Sequence, residues 1–562
     1  MKRHFLKQLI AGIAFGALPA AAWAQVSVGK PPLQLRSDFI GYSLSASGQL
    51  TYTDNVLLVR EQEAEGDAIA SLILSGGVFV DRPRFTGLVS GDVQIGTYLD
   101  PVTDSAGNAE YDRLRVNRNV TGAGTFKIKD NLFYVDVGLA AQQQALGLNS
   151  LEADRQGAAN QQRADALSFS VSPYLYSRLS NNGSLEARYR YTKVYVDDDG
   201  QIEGIDNYLN DSETHEVLAS YDSGGLMDRL RFVLNVYGNT TSETGSDVLP
   251  EVDYTQNAVY ADVTYPLNRR LSVTGTVGYD DVDTNGNPFF TDEEISGAFW
   301  KAGLIATPGR KTRVELAVGE RYGGTWVDGM AEYKLSSRLA IRGDVSRTFQ
   351  TRAQGVSQSF GRLQSNTLGY IDALRESTDL TANEIAGRAV TFNSNLTDFN
   401  RGRSGLSASD TGSISIIGQN PRTNLVITGG YDNSDFGFQQ TESIFLGTRV
   451  ERRLSRRNSL YGRADIRKSD TGIGQSFLEC TLALSTDPVF ASFTAAEITA
   501  ICQDPSNFTD AATTLNLAIG ARRQLGDNVS AYAQIGRTER SSDNVNLGYE
   551  ENAITVGVTY DF

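Results

Sequence analysis

The sequence predicts an all-β fold, a transmembrane antiparallel up-and-down β-barrel of roughly 22 strands, with 20 to 24 compatible with the pattern. Three observations predict it. The chain closes on a strand with Ile554, Val556, Val558, Tyr560 and Phe562 on one face and Ala553, Thr555, Gly557, Thr559 and Asp561 on the other. The same two-residue period, one face apolar and one small or polar, recurs along the chain. Short connections alternate with long ones, as a barrel with short turns at one end and long loops at the other requires.

At the start, Lys2, Arg3 and Lys7 form a basic segment, Leu9 to Leu18 an apolar one, and Ala22-Trp23-Ala24 a small-x-small site before Gln25. Residues 1–24 are expected to be a cleaved secretory signal, too short to span as a helix. Residues 25–38 carry two prolines and no periodicity and are expected to form a periplasmic tail, leaving residues 39–562 as one barrel domain. The mean hydropathy of −0.29 agrees with the lack of a long apolar run after the signal, and barrel strands hide their membrane face in alternate positions. A content of 55 Gly, 25 Tyr and 24 Phe against 13 Pro and 3 Met suits strands and hairpins. The net charge of −16 becomes three units more negative without Lys2, Arg3 and Lys7. That argues against nucleic acid as a partner, since phosphate backbones call for basic surface.

The first strand alternates Tyr42, Leu44, Ala46, Gly48, Leu50 and Tyr52 with Ser43, Ser45, Ser47, Gln49, Thr51 and Thr53. Phe85 to Leu99 and Leu132 to Gln143 repeat the pattern. The polar faces are too polar for the core of a soluble sandwich and suit a water-filled lumen. Short connections are expected at residues 81–84, 127–131, 179–183, 266–270, 307–312, 336–338, 420–423, 454–458 and 525–528, and long, acidic ones at 197–213, 240–253 and 280–294. Two connections are longer still. Thr351 to Asp410 contains a helix-like piece at Tyr370 to Leu380, and Ser469 to Ala512 contains another at Thr494 to Ile501. Loops of such length act as lids, inward constrictions or docking elements, or are elaborate surface loops.

Two resemblances add to this reading. The ending, with Tyr560 and Phe562, resembles the C-terminal signature of outer-membrane β-barrels, which implies that these two residues are an assembly signal read by the barrel assembly machinery. Gly48 to Val56, a tyrosine-containing strand running into Asp54-Asn55-Val56, resembles the first strand of the β-barrel porin 2 family. Thr307 to Gln350, with Pro308-Gly309-Arg310 and the run Gly319-Glu-Arg-Tyr-Gly-Gly324, and Gly418 to Asp465, resemble the barrels found with exosortase and exopolysaccharide systems. The resemblance implies an outer-membrane protein of a Gram-negative cell tied to surface polysaccharide production or secretion. It supplies no catalytic residues.

Catalytic chemistry is not marked. His215 is the sole histidine after the signal; nothing in the sequence marks a catalytic partner for it, a strand-end imidazole is the expected reading, and an enzyme is disfavoured. Cys480 and Cys502 share one loop and are expected to form a disulfide. Asp281, Asp283, Asn285, Gly286, Asn287 and Asp292 have the spacing of a Ca²⁺ loop, with Asp at the last position where Glu is usual and strands as flanks; a solvated acidic hairpin tip is the competing reading. Asp197, Asp198 and Asp199 are a weaker version. By parity, Arg113, Arg115, Arg188, Arg190, Arg229, Arg231, Arg342, Asp344, Arg463, Asp465 and Arg467 are candidates to line the lumen, either as a transverse field for polar solute or as paired struts. Trp300 and Trp326 are expected as structural or interfacial anchors rather than as sugar platforms.

Two functions fit. One is an outer-membrane channel passing hydrophilic solute or exopolysaccharide, with the long loops as constriction. The other is a non-conducting barrel that docks the proteins of a surface-assembly complex. Membrane lipid and lipopolysaccharide are expected partners in both. A TonB-dependent receptor is similar by size, but strands expected from near residue 40 would leave no room for its N-terminal plug domain.

Overall fold

Alternation fixes which way each side chain points, and in the computed structural model of the chain it produces a closed, 22-stranded antiparallel barrel. The described residues are 39–56, 58, 62, 64–100, 114–145, 163–179, 182–197, 210–224, 229–244, 251–285, 290, 292–336, 339–358, 406–420, 422–436, 439–473, 510–543 and 548–562. The expected signal, the tail, the helix-like pieces at 370–380 and 494–501, Arg113, Asp198, Asp199, Gly286, Asn287, Cys480 and Cys502 lie outside them.

The first eleven strands are β1 (Phe39–Thr53), β2 (Asp67–Arg82), β3 (Phe85–Tyr98), β4 (Leu114–Lys129), β5 (Phe133–Ala145), β6 (Arg163–Arg178), β7 (Ser184–Asp197), β8 (Ser212–Asp222), β9 (Arg231–Glu243), β10 (Val252–Asn268) and β11 (Leu271–Asp283). A short helix, Asp292–Ile295, precedes β12 (Gly297–Gly309). There follow β13 (Thr312–Arg321), β14 (Gly324–Ser336), β15 (Leu339–Thr351), β16 (Leu406–Gln419), β17 (Thr423–Asp435) and β18 (Gln439–Arg453). The last four are β19 (Asn458–Ile473), β20 (Asp510–Gln524), β21 (Val529–Ser542) and β22 (Tyr549–Asp561).

Closure is made by β1 against β22, in register from Ser45↔Asp561 to Thr53↔Ala553. The outward face is apolar: Tyr42, Leu44, Leu72, Val217, Val259, Ile519 and Val558 are among the exposed side chains that ring the barrel. In water such a belt would be an aggregation hazard; facing acyl chains it is the expected surface of a transmembrane barrel of outer-membrane type. Tyr560 and Phe562 lie on this outer face, their rings 4.8 Å apart edge to face.

Several glycines serve close approach. Tyr532, Tyr461, Phe445 and Phe299 each lie over a glycine directly opposite on the next strand, Gly557, Gly520, Gly430 and Gly278. A Cβ at any of the four would meet the ring within 2.5 Å. The aromatic face covers backbone that glycine leaves bare.

The structure corrects several boundaries. The last residues of the expected 351–410 loop belong to β16, and helical structure follows β15 immediately, at residues 352–358. Likewise β19 runs to Ile473 and β20 starts at Asp510, the two strands staying paired up to Thr471↔Asp510 through small and polar residues that carry no apolar alternation. At the long-loop end, β13 and β14 are joined by a tight turn, in which Tyr322 and Gly323 have φ of 51° and 66°. Two successive positive φ values match the right-handed strand twist, so the hairpin closes in two residues.

Gly319 sits opposite Trp300–Lys301, and an added Cβ would fall 1.9 Å from the Trp300 carbonyl oxygen. Gly319→Val should destabilise the refolded barrel by about 1–3 kcal/mol, read as a lower urea midpoint in detergent. Gly275→Ala, where the only near atom is 3.8 Å away, should leave the midpoint unchanged; equal effects would refute the packing account.

Candidate functional site

The inward face of β5 to β11 carries a dense set of paired charges, and one piece of the chain is docked on it. In the wall, Arg188 lies on the face opposite the exposed Leu185 and Tyr189. It bonds Asp136 at 2.7 Å, Glu186 at 2.8 Å and the Ser172 hydroxyl at 3.0 Å, with its guanidinium 3.8 Å over the Tyr174 ring. Tyr174 stacks on Tyr134 at 5.2 Å. One turn of alternation further along β7, Arg190 pairs with Glu216 of β8 at 3.1 Å, both nearly inaccessible. Charges held this way, away from bulk water, are stable only when fully paired.

Residues 352–358 dock on this second level. Thr351 and Gln354 form a capping box: the Gln354 N–H donates to Thr351 Oγ1 at 3.2 Å and the Thr351 N–H to Gln354 Oε1 at 2.9 Å, which starts a helix where β15 ends. The helix then points its side chains at the opposite wall. The Ala353 N–H donates to Glu243 of β9 at 3.2 Å, and Gln354 Nε2 to the Tyr237 hydroxyl at 3.4 Å. Val356 is buried against Ala140 and Val194, and the Ser357 hydroxyl donates to Glu216. Glu216 also accepts from the Tyr237 hydroxyl at 2.9 Å. Burial pulls the Arg352 guanidinium down to about 10 and Glu243 opposes the shift, so it stays charged at neutral pH.

A second inward element is the tip of the β13–β14 hairpin. Arg321 is buried and makes two bonds to Asp280 of β11, at 2.5 and 2.7 Å. Its guanidinium lies 4.4 Å from the ring centres of both Phe299 and Tyr322. Gln256 Nε2 donates to the Tyr322 hydroxyl at 2.6 Å, tying the tip to β10. Around it Tyr254, Val282, Ile295, Phe349 and Leu406 form an apolar cluster that joins the β10–β11 side of the wall to the β15–β16 side.

Among the other sequence candidates, Arg115 lies opposite the exposed Leu114. Arg231 pairs with buried Asp222, whereas Arg229 sits exposed in the turn before β9 and not on a strand. Arg342 reaches the Met330 sulfur at 3.7 Å, and Asp344 accepts from the Ser413 hydroxyl at 2.8 Å. Arg463 pairs with Asp465 two residues on, and Arg467 bonds the Ser443 hydroxyl at 3.0 Å. These groups are mostly satisfied within one or two neighbouring strands, as struts are.

Two carboxylates of the Asp281–Asp292 loop, Asp283 and Asp292, serve its own folding. Asp283 accepts from the Asn285 N–H at 2.8 Å, and Asp292 accepts from the N–H and hydroxyl of Thr284 at 2.8 and 2.7 Å. Among the described residues no group of three or more His, Cys, Asp or Glu converges as metal ligands. His215 faces outward beside Val217, with its ring nitrogens 2.7 Å from the Tyr189 hydroxyl and 3.0 Å from Glu213. With Lys193, Tyr191 and Tyr195 it belongs to an aromatic and charged patch of the kind found at a membrane interface. Trp300 is exposed on the outer face, and Trp326 is buried.

Fold and site together define a transmembrane β-barrel whose lumen is partly filled by its own chain. No protein-family model matches the sequence, and no curated protein matches it. Among solved structures the chain is similar to the siderophore receptor PirA from Pseudomonas aeruginosa, at 10% identity and a TM-score of 0.37, over 94% of this chain and 81% of that one. It is similar to the ferric-catecholate import receptor Fiu from E. coli K12, at 10% identity and 0.43, over 95% and 82%. A third is the FrpB iron transporter from Neisseria meningitidis, at 9% identity and 0.35, over 94% and 82%. The barrel assignment rests on this chain's own ladders.

The sequence reading missed the 352–358 dock, although Thr351-x-x-Gln354 is a legible helix start. Glu216→Ala should free this segment and raise the rate of trypsin cleavage at Arg352 by on the order of a hundredfold. Ser357→Ala should raise it about fivefold. Cleavage as slow as in the parent protein in both variants would mean that Glu216 does not hold the segment.

Proposed function

We propose that the protein is an outer-membrane conduit for hydrophilic solute, with exopolysaccharide as the favoured cargo, held closed by the segment that follows β15. The observation that carries the reading is the dock of residues 352–358 on Arg190, Glu216, Tyr237 and Glu243. A surface loop has no reason to bury Val356 and Ser357 completely inside a barrel. An element held by a few hydrogen bonds to a paired charge can leave when a competing ligand or partner protein takes its place. Barrels of this strand number are wide enough to need filling when they are not conducting. The resemblance to exosortase- and exopolysaccharide-associated barrels supplies the cargo class, and it places lipopolysaccharide and secretion proteins as the surroundings. Ca²⁺ in the 281–292 loop and a Cys480–Cys502 disulfide belong to the same proposal as stabilisers of the loop face.

Single-channel recording in a planar bilayer tests it. The intact protein should give little or no current. A variant with residues 352–405 replaced by a two-residue Asn-Gly turn, leaving β15 and β16 whole, should give a steady ohmic current. Silence in both would overturn the conduit and favour a structural barrel that docks other proteins. Equal large currents in both would overturn the closing role of the segment.

A further inference from the structure

The wall of the barrel is interrupted at the long-loop end, beside the β13–β14 hairpin. The β12–β13 ladder reaches no higher than Trp300↔Glu320, while β12 continues to Gly297 paired with β11 alone. On the other side the β14–β15 ladder stops at Gly329↔Val345, although β14 begins at Gly324 and β15 runs on to Thr351. The hairpin tip has left the wall on both sides and leans inward, held by Arg321–Asp280 and Gln256–Tyr322. What remains is a gap between β12 and the tip, a cavity of about 560 Å³ whose lining includes Asp280, Ser296, Phe299, Glu320, Tyr322 and Thr325.

We infer that this gap is a saccharide-binding slot that takes a neutral sugar unit of a glycan chain. The volume falls within the about 300–1,000 Å³ of small-molecule sites. The slot has what a hydroxylated ring needs: a carboxylate, hydroxyl groups, a strand edge at Gly297 and Ala298 with no strand among the described residues laid against it, and aromatic surface. At its outer mouth the exposed Trp300 indole donates to Glu320 at 3.4 Å, so a planar apolar face and a carboxylate stand side by side. The charge balance selects against anions. Arg321 is matched by Asp280, and Glu320 adds a negative charge at the mouth. The slot connects the lumen side, where Phe299 and Arg321 lie, with the outer side, where Ala298 and Trp300 lie. It rests on the reading of the barrel as a glycan conduit, and its sugar could come from that cargo or from surrounding lipopolysaccharide.

The chain from Gln25 onward has two tryptophans, Trp300 and Trp326. Trp300 stands at the mouth, and the Trp326 ring is 5.5 Å from that of Tyr322 in the lining. Intrinsic fluorescence therefore reads the slot directly, without any current. The refolded protein is titrated with maltohexaose, cellohexaose and, separately, oligogalacturonate, to about 10 mM, where even a millimolar site fills. A second arm uses purified lipopolysaccharide. The neutral oligosaccharides should change the emission with saturation, and oligogalacturonate should bind at least about tenfold more weakly because of Glu320. Glu320→Ala should weaken the neutral ligands by about tenfold or more, and Ala298→Phe, which fills the mouth without adding an indole, should abolish the change. Saturation by lipopolysaccharide alone supports the slot, and assigns the sugar to the membrane, only where both substitutions abolish it; where it persists in them, Trp300 is sensing lipid and the slot is overturned. No change with any ligand, or a change that survives both substitutions, overturns it. A positive titration with silent bilayers would overturn the conduit and leave the slot standing.

Discussion

Backbone N–H and C=O groups at membrane depth have no water to turn to, so each strand must find both neighbours. The ladder between β1 and β22 meets that requirement for the two strands that would otherwise be edges. It also aligns the ends of the chain: the Phe562 N–H donates to the Leu44 carbonyl at 3.0 Å, and the Asp54 carboxylate accepts from Asn552 at 2.7 and 2.8 Å. Once the ring is closed, every side chain has a fixed side, lipid or lumen. The outer positions become interchangeable apolar residues, and the inner ones become individual. Arg188, Arg190, Glu216, Asp262 and Asp280 each have their own partners.

The lumen is furnished unevenly. The helical segment 352–358 and the β13–β14 tip both lean toward the wall from β5 to β11. That wall answers with buried carboxylates and tyrosine hydroxyls. The strands from β16 through β22 carry flatter furniture, such as Phe445, Tyr461 and Tyr532 lying over glycines. The two sides of one barrel are thus built differently, one with a segment held by a few hydrogen bonds and the other with rings laid flat on the wall.

Strand number and strand faces were legible because a period of two is written in every strand. Ile554 to Phe562 alone gave the direction of the last one. The docking of residues 352–358 was not legible, since it joins residues far apart in the chain. Ser357 and Glu216 are 141 positions apart, and Ala353 and Glu243 are 110 apart. Only the local part, the Thr351–Gln354 capping box, has a sequence signature. The β13–β14 turn was hidden for another reason. Tyr322 in a left-handed conformation is unusual for an aromatic residue, and Arg321 and Tyr322 find their partners, Asp280 of β11 and Gln256 of β10, 41 and 66 positions away in the chain. In the acidic 281–292 loop, Asp283 and Asp292 accept from backbone and hydroxyl donors at the tip, partnerships that spacing alone does not reveal.

The hairpin that leaves the wall also lowers it. β13 has 10 residues, against 17 in β10. Its outward apolar positions end at Val318, with Glu320 next on the same face. Lipids touching this sector meet a shorter greasy band than those touching β10. The bilayer must thin locally there, or the barrel must tilt toward its short side, each at a modest cost per ångström of mismatch. The leaflet beside the hairpin is then more strained than that beside β10, so the protein would settle more easily in thin membranes and would orient its neighbours around that one sector.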